Sequence, residues 1–223
     1  MEEKQKMKII TDIGGTLIRK SYTTVDLMND LKVHGPDYVQ RAAGEALELI
    51  QRIAAIYGLS SKDQVVPYAI EQFAMRKKDP LLLDFMGRVN EEGLDLGRLH
   101  PDFFPDVAPA LRKMNNLGSK VSTYSNGSKE SQRKMFMVAQ GGDLSNLFEQ
   151  HFDTAKVGPK DDPASYRTIC DRLDTDPITA MYYSDEVPEL KAARAVGLGT
   201  ILIVRPGTKD QPDQEQFARQ TSF

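Results

Sequence analysis

Asp12, Ser125, Lys160 and Asp185 supply between them the functional groups that phosphoryl transfer requires. A carboxylate such as Asp12 can attack phosphorus and form an acyl phosphate, dividing one hard displacement into two. A second carboxylate, Asp185, suits an oxygen-seeking cation such as Mg²⁺, which keeps several of its waters and offsets repulsion between two anions. Ser125 can donate to a phosphate oxygen, helped by backbone N–H groups of the Asn126-Gly127 loop. Lys160 adds a compact positive charge that would hold a phosphate against Asp12. Each residue alone has a plainer reading, since strand-ending aspartates often cap helices and Ser-Asn-Gly-Ser or Gly-Pro-Lys runs are ordinary turns. Their common placement separates them from those cases.

Three of the four follow directly on β-type runs. Lys8 to Thr11 leads into Asp12 and ends at Gly14-Gly15, Lys120 to Tyr124 leads into Ser125, and Ala180 to Tyr183 leads through Ser184 into Asp185. Lys160 lies in a loop, Gly158-Pro159-Lys160, after His151-Phe152-Asp153. Helical spacing fills the gaps: Val107 to Asn116, Glu130 to Ala139, Pro163 to Leu173 and Leu190 to Val196, with Thr200 to Val204 as a last strand. Strands separated by single helices call for a parallel sheet with right-handed crossovers, and ligands then sit beyond the carboxyl ends of the strands. The prediction is an α/β fold, a doubly wound parallel sheet, formed by residues 1–20 and 98–223.

Residues 21–97 read as a helical insert. Ala43, Leu47, Ile50, Ala54 and Tyr57 recur at helical spacing before Gly58; Ile70, Phe73 and Ala74 mark a second helix, and Leu81, Leu82, Phe85 and Met86 a third from Pro80. The polar tail, Gly207 to Arg219, is expected to be partly mobile, with Phe223 available to dock it.

Composition narrows the function. A net charge of −3 gives no broad basic surface, which argues against nucleic acid as a partner. The basic runs Arg19-Lys20 and Arg76-Lys77-Lys78 are short. Cys170 is the single cysteine, so no intrachain disulfide or zinc knuckle is available, and it reads as a core thiol. The polar start, Met1 to Lys8, resembles neither a signal peptide nor a membrane span, so a cytoplasmic protein with no membrane partner is expected. His34, His100 and His151 share no metal-ligand spacing, and Gly14-Gly15 is too short for a nucleotide-binding fingerprint.

The four points resemble the signature motifs of the haloacid dehalogenase superfamily. Asp12-Ile13-Gly14-Gly15-Thr16 is similar to its nucleophile motif, Thr123-Tyr124-Ser125-Asn126-Gly127 to its second, Lys160 to its third and Ser184-Asp185-Glu186-Val187-Pro188-Glu189 to its fourth. The insert lies where this superfamily carries one type of cap domain. Over about residues 97–223 the chain resembles acireductone synthases, the enolase-phosphatases of methionine salvage. Phe103-Phe104-Pro105-Asp106-Val107, Ser125-Asn126-Gly127-Ser128 with Gln132, His151-Phe152-Asp153-Thr154, Ser165-Tyr166-Arg167 and Val204-Arg205-Pro206-Gly207 carry that resemblance. It implies a small phosphorylated metabolite as substrate and a monomer or small homo-oligomer. It implies Mg²⁺ held by Asp12, Asp185 and the carbonyl of Gly14, phosphate held by Thr16, Ser125, Asn126, Gly127 and Lys160, and Glu189 orienting Lys160. Lys156 competes for the third-motif role, and Glu189 reads equally as an acid in a helix's first turn.

One departure bears on mechanism. The second acid of the nucleophile motif, which protonates the leaving alcohol, is here Gly14, and the role left empty typically contributes ~10²–10⁴-fold. The family's tryptophan before the second motif is also absent, with Asn90 near its place. Three readings stay open: hydrolysis with an acid from Glu186, Glu189 or the cap, or with a leaving group that needs none; related phosphonate- or dehalogenase-like chemistry; or a phosphate-binding homologue without turnover.

Overall fold

The computed structural model describes residues 7–223; the polar start at 1–6 lies outside the described residues. The first strand, β1 (Lys8–Thr11), carries Ile9 and Ile10 on opposite faces, both buried, as in a parallel sheet covered on both sides. Four helices follow: α1 (Leu27–Arg41), α2 (Gly44–Ile56), α3 (Val65–Ala74) and α4 (Pro80–Asp95). The chain then alternates through α5 (Val107–Asn116), β2 (Lys120–Ser125), α6 (Lys129–Met137), β3 (Phe148–Asp153), α7 (Thr154–Val157), α8 (Pro163–Arg172), β4 (Ala180–Ser184), α9 (Val187–Ala195), β5 (Gly199–Ile203) and β6 (Ala218–Gln220).

All strand pairings are parallel, in the order β3-β2-β1-β4-β5-β6. The winding reverses between β1 and β4, and ligands of such sheets bind outside the strand ends at that crevice. One apolar cluster, built on Ile9, Leu17, Val121 and Phe136, packs one face of the sheet; another, on Ile10, Tyr124, Tyr166 and Tyr182, packs the other. A third belongs to α1–α4 alone, around Leu31, Ile50, Val66 and Phe85. The insert therefore has its own interior.

Local chemistry accounts for the element ends. Asp79 caps α4 by accepting from the N–H groups of Leu81 and Leu82, with Pro80 at the first helical position. Ser128 caps α6 through Ser131 N and also donates to Glu91 Oε1 at 2.5 Å, tying α4 to the edge of the sheet.

Three features carry no clear mark in the sequence. α1 runs through Gly35-Pro36; Pro36 removes one helical donor, while Leu31 and Val39 on either side are fully buried and hold the helix. The segment ending in His151-Phe152-Asp153 is a full strand paired with β2, disguised by polar residues on a sheet edge. At the end of the chain β6 pairs with β5, Phe217 is buried, and Phe223 docks as the sequence suggests, donating its N–H to Asp106 and meeting the Tyr183 ring at 5.5 Å. Among the described residues, no helix is long and apolar enough to cross a membrane.

Candidate active site

Strand register brings the chemistry together. Thr11 pairs with Thr123 on one side and Tyr183 on the other, and Asp12 N–H donates to the Tyr183 carbonyl at 2.8 Å. Asp12 thus leaves β1 at the level where β2 leads into Ser125 and β4 into Asp185. Lys160 arrives from the loop after α7. A side chain at 158 would meet Ser165 Oγ at 2.5 Å, and Gly158 has φ near +110°, so glycine is what lets this loop turn inward.

Lys160 is 3% exposed, and its ammonium is shared between Asp12 Oδ1 and Glu189 Oε2, the latter at 2.7 Å. Burial alone would lower its pKa; the two carboxylates outweigh that and raise it, so the charge is held. Tyr166 donates to the Lys160 carbonyl at 2.7 Å and fixes the loop. Lys156, the competitor, is exposed on α7, where its N–H serves the Asp153 cap. The inward lysine is Lys160.

Glu189 stands in the first turn of α9 and is buried. Its Oε2 accepts from Tyr182 Oη and Ser184 Oγ, both at 2.8 Å, besides Lys160. That carboxylate is an anchor for the lysine, its Oε2 being shared among three donors. Glu186 is half-buried and faces Lys20.

Asp185 is buried, and its pKa is pushed up to about 7 by burial and by the Asp12 charge, against the pull of Lys20. Its Oδ1 is buried with no partner. Two buried carboxylates that repel one another, one with a free oxygen, form a donor set that fits a hard divalent cation. Among the described residues no three acidic, histidine or cysteine side chains converge. Such a cation would rely on Asp12, Asp185, a backbone carbonyl such as that of Gly14, and water, in keeping with Mg²⁺.

Ser125 ends β2, and its Oγ accepts from Gly127 N–H at 3.3 Å, so in this state that N–H turns toward Ser125. Asn126 Oδ1 is buried without a partner. Gln132 braces the loop, donating to the carbonyls of Gly127 and Phe152, both at 2.8 Å, and accepting from Thr123 Oγ1 at 2.5 Å. Thr16 is fully buried with its hydroxyl unpartnered, while its carbonyl accepts from Arg205 Nε at 3.0 Å. Arg205 also makes a bidentate pair with Asp106, so the end of the chain steadies the first loop.

At Gly14 the backbone imposes no glycine, since its φ is not in the left-handed region. The space there is tight: an added Cβ would meet Thr23 Oγ1 at 3.1 Å and Thr23 Cγ2 at 3.2 Å, so Thr23 would have to give by a few tenths of an ångström. The missing acid is therefore accompanied by a threonine crowding its place. Asn90, on α4, is buried with an unpartnered Oδ1.

Two contributors escaped the sequence. Lys20 donates to Asp185 Oδ2 at 2.7 Å and to Glu186 Oε1 at 2.5 Å, although the sequence marks Arg19-Lys20 only as a short basic run. Gln211 holds the turn at Asp185, donating to its carbonyl at 2.6 Å and accepting from Val187 N–H at 2.9 Å. No local pattern marks either one; only the fold brings them in.

The model of the haloacid dehalogenase-like hydrolase family matches residues 8–197. An enolase-phosphatase E1 of Nocardia farcinica is 34% identical over 209 residues, covering 92% of this chain and 89% of its own. An enolase-phosphatase E1 of Frankia alni is 37% identical over 182 residues, 78% and 72% of the two chains. Among solved structures, the UTR4 protein of Saccharomyces cerevisiae superposes with a TM-score of 0.79 at 24% identity, over 98% of this chain and 99% of that one.

Proposed function

The chain belongs to the haloacid dehalogenase-like hydrolases, and from that premise we propose that it hydrolyses the phosphate ester of a small metabolite through an aspartyl-phosphate on Asp12. The observation that carries this reading is the buried arrangement in which Lys160 bridges Asp12 and Glu189 beside Asp185. A buried ammonium neutralises one carboxylate of the nucleophile pair and leaves the second, Asp185, with a free oxygen. Residues 21–97 would act as the cap over this crevice, and residues 1–20 with 98–223 as the catalytic core.

An Asp12 carboxylate oxygen forms a bond to phosphorus as the ester P–O bond breaks, and the leaving oxygen departs with the electron pair. Water then attacks the phosphorus, releasing inorganic phosphate and restoring Asp12. Lys160 and Ser125, with the N–H groups of the Asn126-Gly127 loop, hold the equatorial oxygens, and Thr16 closes the first loop beneath them. Mg²⁺ bound by Asp12, Asp185 and the Gly14 carbonyl would supply charge neutralisation at the transferring phosphoryl group. The relatives named enolase-phosphatase E1 support an acireductone synthase-like substrate. A cytoplasmic enzyme acting on a small phosphorylated metabolite is part of this reading.

Gly14 with Thr23 favours a narrower version of the reaction. With no acid beside the leaving oxygen, turnover would be restricted to leaving groups that depart without protonation, or shifted toward phosphonate- or dehalogenase-like chemistry. The test is a panel of phosphate esters of graded leaving-group pKa, assayed with Mg²⁺ on wild type and Asp12→Asn. Hydrolysis that rises steeply as the leaving group becomes more acidic and vanishes in Asp12→Asn supports the proposal. A folded wild type inert to every ester, yet binding phosphate, would make it a phosphate-binding homologue instead.

A further inference from the structure

Lys20 makes the ion pair of Asp185, a residue whose other oxygen is buried and free. It begins the helical segment after the Asp12 loop, and it reaches Asp185 because position 15 is glycine. A Cβ there would overlap Asp185 Oδ2 and lie 2.9 Å from Lys20 Cδ, and φ at Gly15 is near +85°. The two lysines of the site differ in kind. Lys160 is 3% exposed and locked between two carboxylates, whereas the Lys20 side chain is 46% exposed and can swing into water.

A divalent cation and an ammonium cannot both sit on Asp185 without repelling each other. We propose that Lys20 is a tethered cation that occupies Asp185 in the metal-free enzyme and is displaced toward Glu186 and solvent when Mg²⁺ binds, so that it sets the metal affinity of the site. The proposal rests on the assignment of Mg²⁺ to Asp12 and Asp185 above. Glu186, half-buried and 2.5 Å from Lys20 Nζ, provides the resting place that keeps the ammonium near after it leaves.

Calorimetric titration with Mg²⁺, and spin-resonance titration with Mn²⁺, on wild type, Lys20→Met, Lys20→Arg and Asp185→Asn read this directly, without reference to turnover. Removing the charge in Lys20→Met is expected to tighten metal binding by about tenfold, a value limited by the solvent screening of a half-exposed ammonium. Lys20→Arg keeps the charge and should stay near wild type, and Asp185→Asn should abolish binding. Equal or weaker binding in Lys20→Met overturns the role of Lys20 while leaving the metal assignment standing. Absence of metal binding in both wild type and Lys20→Met overturns the inference together with the assignment.

Discussion

Restoring an acid at position 14 should not work alone. A Cβ on Gly14 would press on Thr23 Oγ1 and Cγ2 at 3.1 and 3.2 Å, while Thr23 Cβ lies at an ordinary 3.7 Å. Gly14→Glu must therefore shift the half-buried Thr23 side chain slightly, a crowding that costs about 1 kcal/mol, the low end of the range for overpacking a core. Thr23→Ala removes both close atoms and keeps the tolerable one. It gives up the Thr23 hydroxyl's donation to the Lys20 carbonyl, 3.0 Å and exposed, which contributes at most about 1 kcal/mol. In the double variant Gly14→Glu/Thr23→Ala the carboxyl can extend toward the leaving oxygen, and kcat on an alkyl phosphate should rise by ~10²–10⁴-fold over wild type. Aryl phosphates with acidic leaving groups should gain far less. Gly14→Glu alone should melt lower than the double variant and gain less. The assay is steady-state phosphate release on matched alkyl and aryl esters, beside thermal melts. An Asp12-dependent enzyme in which the double variant gains nothing on alkyl esters refutes the view that position 14 lacks only its acid. A single variant as active and stable as the double refutes the crowding by Thr23.

Other perturbations test the scaffold. Lys160→Met leaves Asp12 and Glu189 buried without their shared cation and should lower stability by about 3–5 kcal/mol, read by chemical denaturation, along with loss of phosphatase activity. Arg205→Met breaks the bidentate pair with Asp106 and the bond to the Thr16 carbonyl, and should destabilise the fold by about 2–4 kcal/mol, with amide exchange rising at β6 and around Thr16. His151, whose Nδ1 faces Thr123 Oγ1 at 2.6 Å, has its pKa lowered to about 4 by burial and by the Lys129 and Arg133 charges. Its depressed value means the unfolded chain takes the proton first as pH falls. Stability fully present above pH ~6.5 is lost toward pH ~4, by up to about 3 kcal/mol. Denaturation curves of His151→Gln should show a shallower fall between pH ~6.5 and ~5, and an unchanged slope would rule this histidine out as the source.

Much of the site was legible because parallel α/β folds place function at strand ends. Asp12, Ser125 and Asp185 each follow an apolar run, and register brings Thr11, Thr123 and Tyr183 level. Lys160 could be preferred to Lys156 only by resemblance; the burial of one and the exposure of the other gives a physical ground. What stayed hidden lacked local periodicity. β3 is an edge strand carrying Glu149, Gln150 and His151, and β6 is exposed over its three residues, held by its neighbour and by Phe217. α1 was masked by Gly35-Pro36, where tertiary packing overrides propensity. Lys20 and Gln211 reach Asp185 across 165 and 26 positions, distances at which sequence spacing carries no signal.

The central claim is that Asp12 forms a bond to phosphorus. Acid quench during turnover of a phosphate ester, followed by peptide mass analysis, tests it most directly. A phosphoryl adduct is expected on the peptide containing Asp12, absent from Asp12→Asn together with all hydrolysis. Turnover persisting in Asp12→Asn, or an adduct mapped to another residue, would contradict it.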